Sequence, residues 1–236
     1  MNTARVRPHV ARVLEQTRAV VLDSDALCEL LSPDQAPSVA EAIRGQILAR
    51  GHKMSVFGHL NNNPLSMVVY AHGLGPADGA GAEQILRAAE LSAAATATIA
   101  PEALQVINAC RSSGRRVALV SAHCPEAVET VLTLSGLRPL VGPVIGRGPI
   151  TTTWNFHTIS DLLRVTMLEM GEQPADCAVV GLSVAATWAA QEAGAHGIGV
   201  VNKLVNRKHL AKFGAVVVAS LPALAAALTT VHPTPL

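Results

Sequence analysis

The chain opens with Val6, Val10, Val13 and Leu14 at helical spacing, which predicts a short amphipathic helix or arm within residues 1–17. An unbroken apolar run follows, Ala19-Val20-Val21-Leu22, and it ends at Asp23. A run this short, apolar on both faces, predicts a strand of a parallel sheet, because such strands are covered on both sides and lose the polar alternation. Residues 32–99 show no strand alternation. Ser32-Pro33 and Pro37-Ser38 punctuate the chain there. A helix is expected from Ser38, with Ser38 as N-cap, Glu41 three residues on as in a capping box, and Gly51 as its stop. Polar, Gly and Pro residues then surround one apolar stretch, SMVVYAHG, before a longer helix predicted over EQILRAAELSAAATATI. The segment reads as a small, mostly helical insert.

From residue 101 the pattern alternates regularly. PEALQVINACRSSG predicts a helix with Pro101 in its first turn, and RRVALVS a strand. PEAVETVLTLSG is a helix, LRPLVGPVIG holds a short strand, and HTISDLLRVTMLEMG is a helix with a stripe at Ile159, Leu162, Leu163, Thr166 and Met167. DCAVVG, AHGIGV and AVVVAS are strands separated by the helices VAATWAAQEAG and RKHLAKFG, and LPALAAAL closes the chain. Strands alternating with helices predict an α/β protein: a Rossmann-like open parallel sheet with helices on both faces. Residues 18–31 and 100–236 would form this core, 1–17 an arm, and 32–99 the insert. Ligands of such sheets bind at the C-terminal strand ends.

Composition narrows the functional classes. With 18 Lys and Arg against 17 Asp and Glu, the formal charge is +1, which gives no electrostatic footprint for nucleic acid or for an anionic membrane. Aromatics are only 3%, too few for a stacking platform. No apolar run approaches the roughly 18 residues of a membrane span, and no hydrophobic segment follows the basic N-terminus as in a signal peptide. The four cysteines are scattered without a C-x-x-C pair, so free thiols and a cytoplasmic location are expected.

Three strand ends carry candidate chemistry: Asp23-Ser24-Asp25-Ala26-Leu27, Ser121 in VALVSAHC, and Gly181-Leu182-Ser183 in AVVGLSVAA. With VVLDSDAL, GRRVALVSAHCPEAV and PADCAVVGLSVAATWAAQEAGAHGIGV in this order, the chain resembles the haloacid dehalogenase-like hydrolases over about residues 18–228, in particular the phosphoglycolate-phosphatase-like branch with a helical cap inserted after the first motif. The resemblance implies roles. Asp23 matches the nucleophile that forms an aspartyl-phosphate. Asp25 matches the general acid/base, and Ser121 the hydroxyl that holds the phosphoryl group. Acidic residues of the fourth motif would complete a Mg²⁺ site.

The chain departs from that pattern at several positions. Leu27 stands at the usual Thr of the first motif, and Leu182 and Ala186 stand where the fourth motif has two Asp. The third-motif Lys is absent, and counting back from Gly171 places His157 there, with no Lys in TTTWNFH. A lost metal removes several kcal/mol of charge stabilisation, or roughly three decades of rate at about 1.4 kcal/mol per decade. The expectation is therefore a protein of this family with a lost Mg²⁺ site, no cofactor, impaired phosphatase activity and a binding or regulatory role. The alternative is an active hydrolase of altered, metal-independent chemistry that uses Asp23 and Asp25. Without a metal, two carboxylates this close raise one pKa.

Blander readings stand beside each role. Asp23 and Asp25 could cap the following turn, Ser121 could satisfy backbone donors, and His157 could be a helix-start or surface residue. Asn202 and Lys203, after the fifth strand, are candidates for binding a small anionic ligand, Lys203 otherwise being a solvated lysine. A Ser121–His123 nucleophile pair is disfavoured, because residues two apart on a loop rarely align base and hydroxyl. Trp154 and Trp188 are read as packing residues, and a homodimer formed through the cap is a weaker structural reading.

Overall fold

A computed structural model describes residues 6–148, 156–203 and 205–234, without the side chains of residues 156 and 157. Six strands, β1 (Ala19–Asp23), β2 (Arg116–Val120), β3 (Val144–Ile145), β4 (Cys177–Gly181), β5 (His196–Val200) and β6 (Val216–Val218), form one sheet in the order β3-β2-β1-β4-β5-β6. Every pairing is parallel. Among the described residues, eleven helices accompany them: α1 (Pro8–Gln16), α2 (Gln35–Ala49), α3 (Val56–Leu60), α4 (Pro64–Leu74), α5 (Pro76–Ala94), α6 (Pro101–Ser112), α7 (Pro125–Leu134), α8 (Phe156–Met170), α9 (Val184–Glu192), α10 (Arg207–Leu210) and α11 (Leu221–Thr230).

The period-2 geometry of the strands sorts their side chains onto two faces. Val20, Leu22, Val117, Leu119, Val180 and Ile198 point to the side covered by α1, α6 and α11, where they meet Leu14, Ile107 and Leu228. Ala19, Val21, Ala118, Val120 and Val179 point to the other side and meet Leu163 and Met167 of α8 and Ala189 and Ala190 of α9. Both faces are thus dry, which explains the continuous apolar runs of the strands. Each fully buried Val or Leu stabilises the fold by about 1.5–3 kcal/mol relative to exposure.

Register decides where the chemistry falls. Asp23 at the end of β1 pairs with Val120, and Leu22 pairs with Val180 of β4. The sheet runs β1-β2-β3 to one side and β4-β5-β6 to the other, so the crevice at the end of β1 lies where the strand order switches.

Helices α2, α4 and α5 pack around an apolar cluster of their own: Ile43 and Ile47 of α2, Met67, Val68 and Ala71 of α4, and Ala82 and Leu86 of α5. Two local expectations are corrected here. The capping box is Ser32 with Gln35, not Ser38 with Glu41: the Gln35 N–H donates to Ser32 Oγ at 3.2 Å while the Ser32 N–H donates to Gln35 Oε1 at 3.0 Å. Glu41 instead pairs with Arg44 one turn on. The last helix of the segment begins at Pro76 and ends at Ala94, although GPADGAGAE reads as a loop. Its glycines serve packing: a Cβ on Gly79 would stand 2.1 Å from Nδ1 of His72, and one on Gly81 would stand 1.8 Å from Nε2 of Gln46. Entry to and exit from the segment are tied by the Ala100 N–H, which donates to Leu27 O at 3.0 Å.

Buried Arg115 bolts the opposite end of the core. Its guanidinium donates to Leu14 O, Thr17 O and Val231 O at 2.7, 3.1 and 2.9 Å, and to Ser113 Oγ at 2.6 Å. It joins α1, β2 and the end of α11 through carbonyls at and just beyond the helix ends. Among the described residues, no helix is long and apolar enough to cross a membrane, and all four cysteines are free thiols.

Candidate active site

The end of β1 turns directly into a short 3-10 turn, Ser24–Ala26, and Asp23 caps it: the Asp25 N–H donates to Asp23 Oδ1 at 3.3 Å. The tight turn puts the two carboxylates on the same rim of the sheet. Asp23 is half-buried and Asp25 exposed. Burial, then the charge of Asp25, pushes Asp23 up from 3.8 to about 7, while the Asp25 N–H and His123 oppose the rise. Asp23 therefore sits near the midpoint of its titration at neutral pH.

Ser121, at the end of β2, is brought to the same place but its hydroxyl is already committed. It lies 2.7 Å from Ser24 Oγ and accepts the His123 N–H at 3.0 Å. The His123 contact to Ser121 is made by its backbone, so no Ser–His nucleophile is present. Leu27 is buried in the core below the rim and does not fill the cleft.

The end of β4 contributes Gly181, Leu182 and Ser183. Leu182 packs partly against the core and faces a cleft. Ser183 caps α9, its Oγ accepting the Ala186 N–H at 3.1 Å. Buried Ala186 lies against Gly181, where a Cβ would stand 2.3 Å from the Ala186 Cβ and 3.9 Å from Asp23 Oδ2. Asp23, Asp25, Ser121, Ser183 and Ala186 border a recess of about 160 Å³. Beside it, a cleft of about 670 Å³ runs toward residues 29–36 and 63 and is lined by Asp23, Asp25, His123, Leu182 and Lys203. Asn202 lines it too, but ties the loop after β5 together: its Nδ2 donates to Leu182 O at 2.7 Å and its Oδ1 accepts the Val205 N–H at 2.9 Å. Lys203 is exposed on the cleft wall. His157 is the second residue of α8, but its side chain, like the whole of Trp154, lies outside the described residues.

A cluster that pattern reading missed stands behind this rim. His123 places Nδ1 2.9 Å from Oε1 of buried Glu90 on α5 and Nε2 3.7 Å from Asp25 Oδ1, an ion-pair contact too long for a hydrogen bond. Glu90 also accepts the Cys124 N–H at 3.0 Å and a two-pronged donation from buried Arg147 at 2.6 and 3.0 Å. Arg147 further pairs with Glu83 of α5 at 2.8 Å and donates to Ala122 O at 2.8 Å. Burial alone would raise Glu90, but hydrogen bonds from His123 and Arg147 hold it down to about 2. Burial alone would lower His123, but the Asp25 and Glu90 carboxylates carry it up to about 9. Burial pushes the nearby thiols of Cys28 and Cys124 up to about 11, which makes them poor nucleophiles.

Comparison with known proteins gives a one-sided result. No family model and no curated protein matches the sequence. Solved structures do match. CbbY from Rhodobacter sphaeroides, solved in complex with phosphate, superposes with a TM-score of 0.64 at 16% identity, covering 88% of this chain and 96% of that one. A haloacid dehalogenase-like hydrolase, SP0104 of Streptococcus pneumoniae, gives 0.61 at 13% identity over 87% and 95%. A putative beta-phosphoglucomutase from Thermotoga maritima gives 0.59 at 16% over 91% and 100%. The fold is thus that of the haloacid dehalogenase-like hydrolases.

Proposed function

We propose that this chain is a haloacid dehalogenase-like protein, of the phosphatase-like branch, whose Mg²⁺-dependent phosphatase site has been disarmed and which serves as a binding or regulatory protein for a small anionic ligand. Residues 32–99 are the cap that closes over that ligand. The observation that carries the reading is the end of β4, where Leu182 and Ala186 stand beside the Asp23–Asp25 pair. Magnesium asks for near-octahedral oxygen ligation and is usually held by carboxylates together with substrate phosphate. Here β4 offers neither carboxylate nor free hydroxyl, since the Ser183 oxygen caps a helix. Among the described residues, no group of three His, Cys, Asp or Glu side chains is arranged so that it could hold a metal ion. The residues present do not fit the ion, and no step through it follows.

The test is hydrolysis of p-nitrophenyl phosphate by purified full-length protein with and without Mg²⁺. Background-level rates are expected in both. Robust turnover that Asp23→Asn abolishes would overturn the reading.

The second reading, a metal-independent hydrolase, is favoured by one arrangement: a cationic imidazole faces an acid pair of which one member, Asp23, titrates near 7. Environments that separate acid from base in this way suit proton transfer at neutral pH. Carbonyl and ester substrates screened in EDTA would reveal it, and equal rates for wild type and Asp23→Ala would remove it.

A further inference from the structure

The Glu90 cluster has no part in the chemistry described so far, yet it is costly. Glu90 and Arg147 are 1% and 2% exposed. Burying such a pair gains little net stability over an apolar core, because desolvation cancels most of the attraction. Its geometry spans two parts of the molecule. Glu90 and Glu83 come from α5, whereas Arg147 follows β3 and His123 and Cys124 follow β2. Among the described residues, the hydrogen bonds to the Glu90 carboxylate come from the sheet side. One of them fixes a ring that lines the cleft.

We propose that Glu90 is a positioning residue: seated on the core by Arg147, it orients the His123 ring so that Nε2 presents a donor to Asp25 and to a ligand oxyanion in the cleft. A carboxylate on Nδ1 selects the N–H at that nitrogen, because an ionised carboxylate only accepts. The same bond fixes the ring plane, as a carboxylate behind an imidazole does at many sites. With Nδ1 bound at 2.9 Å and Nε2 at 3.7 Å from Asp25, one end of the ring is held tightly and the other remains open to a ligand. Glu90 comes from the inserted segment, so the cationic wall of the cleft is complete only when α5 is docked. The oxyanion part of this inference rests on the anionic ligand proposed above; the positioning part does not.

The experiment is nitrogen-15 NMR of the histidine side chains in the full chain, with EDTA present and without ligand. In wild type, His123 should show a slowly exchanging Nδ1–H, and Glu90→Gln should abolish that protection and shift both ring nitrogens. Glu90→Asp, which keeps the carboxylate, should restore the protection in part. Unchanged His123 resonances in a folded Glu90→Gln protein would overturn the inference. Glu90→Gln leaves Arg147 with Glu83 as its remaining counter-charge and can unfold the chain, so the double variant Glu90→Gln/Arg147→Met removes both members of the buried pair. The wild-type measurement needs no variant: an Nδ1–H in rapid exchange with water would also overturn it. Titration with inorganic phosphate then reads the ligand part. A shift at His123 Nε2, with affinity reduced about tenfold or more in His123→Gln, supports it, and no shift refutes it. Mg²⁺-dependent phosphatase turnover would sink the proposed function while leaving the Nδ1–H signature in place, so the two failures are distinguishable.

Discussion

The Asp23 carboxyl makes the stability of the protein depend on pH in a way that one substitution isolates. Its pKa rises from 3.8 to about 7 on folding, first through burial and then through the charge of Asp25. Between those values the native state keeps a proton that the unfolded chain has released. By linkage, stability therefore falls as pH rises through this window and is fully present only below about pH 4. Three pKa units correspond to about 4 kcal/mol at 1.36 kcal/mol per unit. The half-buried position of the side chain lets solvent screen it, so a loss of about 1–2 kcal/mol is the better expectation. Asn has nearly the same shape and no charge to desolvate. Asp23→Asn should thus gain roughly 2–8 °C over wild type at pH 8 in thermal unfolding with EDTA, taking about 2–4 °C per kcal/mol for a chain of this size. At pH 3, below the unfolded value of 3.8, the two proteins should melt within about 1 °C of each other, because Asp23 is then neutral in both the folded and the unfolded chain. Equal melting temperatures at pH 8, or the same gain at both pH values, would refute the burial argument.

Other consequences are as concrete. His123, carried up to about 9, holds a proton that the unfolded chain loses above its ordinary 6.5. Its stabilising contribution is complete below that value and disappears as pH rises toward 9, so His123→Gln should flatten the melting curve between pH 6.5 and 9. Arg115→Met should cost about 3 kcal/mol in urea unfolding, because the carbonyls of Leu14, Thr17 and Val231 lose their donor in a dry site; a cost below about 1 kcal/mol would contradict the bolt. Gly79→Ala should destabilise by about 1–3 kcal/mol by driving a methyl into the His72 ring, and His72→Ala in the same chain should relieve it. Gly81→Ala should be neutral or stabilising by up to about 1 kcal/mol, since the Gln46 amide can swing aside and alanine favours the helix.

The β strands were legible because their environment is uniform: dry on both faces, they produce apolar runs with no competing pattern, and the alternating helices then leave few ways to order them. Asp23, Asp25, Ser121, Asn202 and Lys203 were legible as neighbours because the ends of parallel strands share one rim. What was hidden is hidden for physical reasons. The start of α5 reads as a loop, since Gly79 and Gly81 are there for helix–helix approach and local propensity cannot register a neighbouring helix. Ser38–Glu41 was read as the capping box because it carries the right spacing, but Ser32 and Gln35 carry the same spacing, and only tertiary packing extends α2 back to Gln35. Glu90 and Arg147 lie 57 residues apart in sequence, and nothing in a helical Glu or a post-strand Arg announces a buried pair. His123 was set aside as the base of Ser121, and its backbone contact to that hydroxyl agrees. Its ring turns the other way, to a carboxylate brought in by the insert.

The claim on which the account rests is that Leu182 and Ala186 leave Asp23 and Asp25 without the partners a divalent cation requires. Isothermal titration of Mg²⁺ into the full-length protein at pH 7.5 tests it most directly. Wild type should show no saturable heat at millimolar Mg²⁺. Stoichiometric binding that disappears in Asp23→Asn would contradict it.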